Sequence, residues 1–196
     1  MPLNILILYG SYRSDRMGIR LAQFLTKRFA SLGHETELID AKAVGLPMLD
    51  RMHKEYGPGE APENMATLAA KIRAADAFVF VTGEYNQGVQ PGLKNLTDHY
   101  LEEWFWRPAA IACYSAGVYG GVRAMTNWRV SLAEMGMPTV SEILPVGRIG
   151  STLGADGEPT GPDGERLEKH FPRFAADLTW WAEAAKAKRA VTPAPY

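Results

Sequence analysis

LNILILYGSYRSDRMG, residues 3–18, decides how the rest of the chain is read. Leu3, Ile5, Leu6, Ile7, Leu8 and Tyr9 form an apolar run broken only by Asn4. A short run without polar alternation fits a strand covered on both faces, as in a parallel sheet. Gly10 and Ser11 stop it, Arg13, Ser14, Asp15 and Arg16 make a polar turn, and an amphipathic segment follows. A buried strand, a small-residue turn and a helix start together form an anion site. The first helical amides lack partners, and the aligned peptide dipoles favour negative charge there. Ser11 and Ser14 add hydroxyls, and Arg13 and Arg16 add planar forks suited to phosphate oxygens. The same residues also read as a plain strand-to-helix turn, capped by Ser14 or Asp15, with two solvated arginines. Neither G-x-x-x-x-G-K-[ST] nor G-x-G-x-x-G is present. The ligand implied is therefore a mononucleotide with one phosphate rather than a triphosphate or a dinucleotide pyrophosphate.

The chain has 196 residues, 46% of them apolar and 22% charged, with a net charge of −1. That suits one α/β domain with its own core and gives no footprint for nucleic acid or a membrane surface. One cysteine, Cys113, excludes an internal disulfide framework and a cysteine-rich metal site. No apolar run is long enough to span a membrane, and the N-terminus lacks the pattern of a signal peptide. A cytoplasmic location is the expectation.

Met17, Leu21, Phe24, Leu25, Phe29 and Leu32 recur at helical spacing and stop at Gly33. A second strand is expected over 34–40. Residues 41–62, with Pro47, Gly57, Pro58 and Pro62, read as a long irregular segment: a lid, an interface element or a surface loop. A helix over 64–75 and a third buried strand over 76–82 follow. That strand runs into Gly83-Glu84-Tyr85-Asn86-Gln87-Gly88, and Pro91 opens the next helix, where Lys94 and Asp98 are spaced to pair. Trp104, Phe105 and Trp106 read either as core or as a subunit interface. A fourth strand, 109–114, ends in Ser115-Ala116-Gly117-Val118-Tyr119-Gly120-Gly121, whose glycines would let backbone approach a flat ligand. A helix over 122–135 and a fifth strand over 139–143 complete the alternation. Residues 144–164 read as loop. The last helix should be kinked or split at Pro172. One domain is expected over 1–190, with 191–196 as a frayed tail.

Five strands alternating with helices imply a doubly wound parallel sheet with right-handed crossovers and helices on both faces. In the flavodoxin-like order 2-1-3-4-5, the ligand crevice lies beyond the carboxyl ends of the strands, at the switch between strands 1 and 3. The loops after strands 1, 3 and 4 all belong to it.

Those loops resemble the NADPH-dependent FMN reductase family of the flavodoxin-like fold. Gly10-Ser11-Tyr12-Arg13-Ser14, with Arg16-Met17-Gly18, is similar to that family's G-S-x-R loop. Thr82-Gly83-Glu84-Tyr85-Asn86, then Pro91-Gly92-Leu93-Lys94-Asn95 and Asp98, is similar to T-P-E-Y-N…P-G-x-L-K-N-x-x-D, with Gly83 where proline is usual. Ser115-Ala116-Gly117 with Gly120-Gly121 resembles its third flavin loop. The resemblance spans residues 3–135. It implies that Ser11, Arg13, Arg16, Met17 and Gly18 hold the FMN phosphate. It implies that Glu84, Tyr85, Asn86 and Gln87 line the ribityl and ring, and that Ser115, Gly117 and Gly121, with Tyr119 nearby, approach the ring. It also implies hydride transfer from NADPH or NADH through FMN to free flavin, a quinone, an azo compound or a metal oxyanion. No catalytic side chain is required, since the flavin N5 carries the step. A homodimer or homotetramer is expected. The alternatives are a flavodoxin-type electron carrier and a flavin-binding module. His34, His53, His99 and His170 lack metal-ligand spacing, so no metal is expected. Ser115 lacks a G-x-S-x-G setting, which weighs against a hydrolase.

Overall fold

A computed structural model describes residues 1–196. Five parallel strands, β1 (Asn4–Tyr9), β2 (Glu35–Asp40), β3 (Ala77–Gly83), β4 (Ala109–Tyr114) and β5 (Thr139–Val146), form one sheet in the order β2-β1-β3-β4-β5. The apolar runs dictate this. β3 and β4 are buried along their whole length, and β1 along all but Asn4. A strand with no solvent face needs cover on both sides.

Helices α1 (Ile19–Ser31) and α7 (Gly161–Val191) cover one face, burying Leu21, Phe24, Phe29, Phe171 and Phe174 against alternate residues of β1. Helices α3 (Glu63–Ala74), α4 (Pro91–Asp98) and α5 (Val122–Glu134) cover the other, around Phe78, Phe80, Trp104 and Trp128. Trp104 is core, its ring set edge-on to Phe78 at 4.9 Å. The expected Lys94–Asp98 pair is present on α4. Register places Tyr9 opposite Val81, Gly83 opposite Tyr114, and Tyr114 opposite Val146. The carboxyl ends therefore finish at one rim, and the loops that follow them share it.

Three expectations need correction. Residues 144–164 are not all loop: β5 runs on to Val146, a short helix α6 occupies Ile149–Thr152, and α7 begins at Gly161. β5 accommodates Pro145 because it is an edge strand, where a missing N–H is tolerated. Pro172 does not split α7, which is continuous over 31 residues. Its apolar stripe packs on both sides of the exposed proline, and that burial outweighs a cost of about 3 kcal/mol. Residues 41–62 are less irregular than expected. They contain a short helix α2 (Ala41–Val44), N-capped by the Asp40 carboxylate, and a 3₁₀ turn at His53–Glu55. The Asn95 side chain pins the intervening stretch to α4, accepting from the Leu49 amide and donating to the Pro47 carbonyl. After α7, the Tyr196 ring lies against Phe105 and Trp106.

Candidate active site

At the strand rim lies a crevice of about 540 Å³, lined by the ends of β3 and β4, the loops that follow β1, β3 and β4, and Ile149. Direct bonds tie these loops together. The Ser11 and Tyr85 hydroxyls lie 3.1 Å apart, joining the first loop to the second. The Glu84 amide donates to the Tyr114 carbonyl at 3.2 Å, joining the second to the third. The Ile149 amide donates to the Ser115 carbonyl, bringing in the start of α6.

Of the residues singled out from sequence, Ser11, Arg13, Arg16, Met17, Glu84, Tyr85, Asn86 and Ser115 line the crevice. Arg13 is exposed and forms a fork-to-carboxylate pair with Asp15, at 2.9 and 3.0 Å. Arg16 faces differently: its Nη1 donates to Asp40 at 2.6 Å and to the Ser11 carbonyl, and its guanidinium lies over the Tyr9 ring. The Asp40 carboxylate raises the Arg16 pKa. The amides of Ser14, Met17 and Gly18 donate to no other group of the chain, and α1 has no side-chain cap. The loop at this end of the crevice is therefore rich in free donors, as an anion site requires.

The second loop is a tight turn closed by reciprocal Tyr85–Gly88 backbone bonds. Its central residues, Asn86 and Gln87, both have positive φ, 50° and 66°. Non-glycine residues pay for that conformation. Asn127 steadies the turn from α5, donating to the Gln87 carbonyl at 2.9 Å. Glu84 is held by Arg123, accepting from its amide and its guanidinium, both at 3.3 Å. Ser115 donates to the Gly117 carbonyl at 2.9 Å and has no base beside it.

Gly18, Gln87, Gly117, Tyr119 and Gly121 stand outside the lining of this crevice. A Cβ on Gly121 would come 2.6 Å from the Tyr114 carbonyl oxygen, so this glycine permits close approach to the chain's own β4. Gly117 faces open space. Tyr119 stands on a neighbouring cavity, with Arg123 over its ring at 4.6 Å.

Asp15, Gly83 and Ala116, which lie inside the loops singled out from sequence but were given no role at the ligand, also line the crevice, and so do Tyr114 and Ile149, which sequence reasoning missed. Tyr114 was findable as the last residue of a strand ending at the ligand rim; Ile149 lay in a stretch read as loop. Tyr114 is held by Gln90, whose Nε2 donates to its hydroxyl at 2.8 Å. Its phenol lies between Gly18 and Gly83, where a Cβ would come within 2.0 and 2.8 Å of it. Burial raises the Tyr9 and Tyr114 pKa values, so both phenols hold their protons further into the alkaline range than a free tyrosine does. An anion-binding end, a strained turn carrying an aromatic ring and a hydroxyl-lined wall together suit a flat ligand with one charged tail.

Known proteins agree. The family model described as NADPH-dependent FMN reductase matches residues 3–149. A quinone reductase of Pseudomonas putida is 26% identical over 193 residues, covering 96% of this chain and 97% of its own. An NAD(P)H-dependent FMN reductase of Saccharomyces cerevisiae is 26% identical over 166 residues, 75% of this chain and 84% of its own. Among solved structures, the flavoenzyme NAD(P)H:(acceptor) oxidoreductase FerB of Paracoccus denitrificans superposes with a TM-score of 0.74 at 25% identity. That alignment covers 93% of this chain and 98% of FerB.

Proposed function

The chain belongs to the NADPH-dependent FMN reductase family, and from that premise we propose that it is an FMN-dependent NAD(P)H oxidoreductase. It passes hydride from a nicotinamide through bound FMN to a small acceptor: free flavin, a quinone, an azo compound or a metal oxyanion. The observation that carries this reading is the direct tie between the loop of unpaired amides and the aromatic turn, Ser11 to Tyr85. It supports the reading because it holds a donor-rich loop and an aromatic turn against one crevice, as a phosphate and a flat ring would need.

The donor set fits FMN at both ends. Arg13, the Ser11 hydroxyl and the amides around Met17 and Gly18 take the phosphate. Arg16, turned to Asp40, shapes that loop from behind. Glu84, Tyr85 and Asn86 line the ribityl and ring, with Ser115 along the third side; Gln87, Gly117, Tyr119 and Gly121 shape the loops from outside the crevice. FMN, when bound, supplies the hydride-accepting centre. The chain's residues orient it: Arg123 fixes Glu84, Asn127 fixes the turn, and Tyr114 closes the floor beneath. Hydride transfer to FMN held there would need no acid or base from the protein. We take residues 1–190 as one unit, acting in the cytoplasm as a homodimer or homotetramer.

Anaerobic mixing of the FMN-loaded protein with NADPH tests the proposal. Stoichiometric bleaching of the yellow flavin band is expected. A yellow protein that neither NADPH nor NADH bleaches would instead be an electron carrier or a flavin-binding module.

A further inference from the structure

A second cavity, of about 330 Å³, lies behind the third loop. Its wall is shared with the crevice: Ser115 and Ala116 line one side, while Val118, Tyr119 and Gly120 line the other. Farther along, Ile149 faces the crevice and its chain neighbour Arg148 faces the cavity. We propose that this cavity takes the adenosine end of NADPH, and that Arg148 and Arg166 recognise its 2′-phosphate and so favour NADPH over NADH. The inference rests on the oxidoreductase reading above.

The charges decide the ligand class. Arg148 donates Nε and Nη2 to Asp163, at 2.9 and 2.5 Å, and Arg166 donates Nη1 to the other oxygen of that carboxylate at 3.2 Å. Two guanidinium groups share one carboxylate, leaving one positive charge in excess. Arg148 Nη1 and most of the Arg166 fork keep free donors, in the planar geometry that suits phosphate. His170 does not compete for that role, since its Nε2 lies 2.7 Å from Glu142. Arg173 pairs with the other oxygen of Glu142 at 2.6 Å.

The backbone is committed to this arrangement. Arg148 has φ 46° and ψ 44°, a left-handed conformation uncommon outside glycine, asparagine and aspartate. Its amide donates to the Gly117 carbonyl at 2.9 Å, fixing the guanidinium root against the third loop. Leu144, Val146 and Leu167 give the cavity an apolar floor for a purine. A dinucleotide with its nicotinamide in the crevice thus has a cationic cavity next door, across a wall one loop thick. The phosphate ester on the adenosine ribose is the one chemical difference between NADPH and NADH, and an arginine pair is the group that reads it.

Calorimetric titration of the FMN-loaded protein with adenosine 2′,5′-bisphosphate and, separately, adenosine 5′-monophosphate tests the inference. The bisphosphate should bind about tenfold or more tightly than the monophosphate. Arg166→Gln, on an exposed helix face, and Arg148→Asn, which tolerates the left-handed backbone, should each remove most of that difference. Equal binding of the two nucleotides, no binding of either, or a preference unchanged in both variants would overturn it. The readout needs no turnover. A protein that prefers the bisphosphate but is not bleached by NADPH would contradict the oxidoreductase reading and leave the phosphate site standing.

Discussion

The two arginines of the first loop carry the same charge and do different work. Arg13 pairs only with its exposed neighbour Asp15, a bond that water already weakens, so an incoming phosphate can take its fork. Arg16 is tied to Asp40, 24 residues away, in a part-buried pair at 2.6 Å. Arg13→Ala should therefore weaken FMN binding about tenfold or more and leave stability unchanged. Arg16→Ala should lower stability by about 1–3 kcal/mol, because it strands the Asp40 carboxylate, and should loosen FMN as a consequence. Fluorescence titration and denaturant unfolding of both variants check this; equal stability losses would contradict it. The sequence names both arginines but cannot separate them, since the partner that distinguishes Arg16 arrives through the β1–β2 pairing. Cys113 needed no partner to be legible. Inside an all-apolar strand its thiol is pushed up to about 12, so iodoacetamide should leave it unmodified in the folded protein near pH 8. Rapid labelling without unfolding would refute that placement.

Elements meet at Tyr114, where the end of β4 reaches between the start of α1 and the end of β3. The glycine found where the resemblance leads one to expect proline has its explanation here: a side chain at 83 would strike the Tyr114 phenol and Gln90 Nε2. Gly83→Ala should cost about 1–3 kcal/mol by overpacking, and Tyr114→Leu should recover part of it. The double-mutant cycle should show coupling of about 0.5 kcal/mol or more, and strict additivity would contradict the packing account. Strands β1, β3 and β4 were legible because full burial leaves an unmistakable apolar run. β5 was cut short because Pro145 and Gly147 read as punctuation, and only its edge position excuses them. Of the two outcomes expected at Pro172, a kink or a split, the split is absent, because periodicity does not report how much burial lies on either side of a proline.

Across the whole molecule, two cores press on one sheet, and the pressure shows in its titrating groups. Burial raises the Cys113 thiol and the phenols of Tyr9, Tyr100 and Tyr114. The unfolded chain releases those protons from about pH 8.5 for the thiol and about pH 10 for the phenols, whereas the folded chain retains them. Their contribution is therefore fully present below about pH 8.5 and is lost as pH rises through the folded values. Denaturant midpoints should fall between about pH 8 and about pH 10.5; a flat profile would mean that these groups are not desolvated. Strand order and the shared rim followed from the alternation of strands and helices, as did the pairing of the first loop with the second. The cavity behind the third loop did not, because Arg148 and Arg166 are far from the motifs and meet only through Asp163. The central claim is that one crevice grips a flat molecule by a single phosphate. A comparison of FMN with riboflavin by fluorescence quenching tests it most directly. One FMN should bind per chain, with riboflavin weaker by about 100-fold or more; equal affinity for the two would contradict the account.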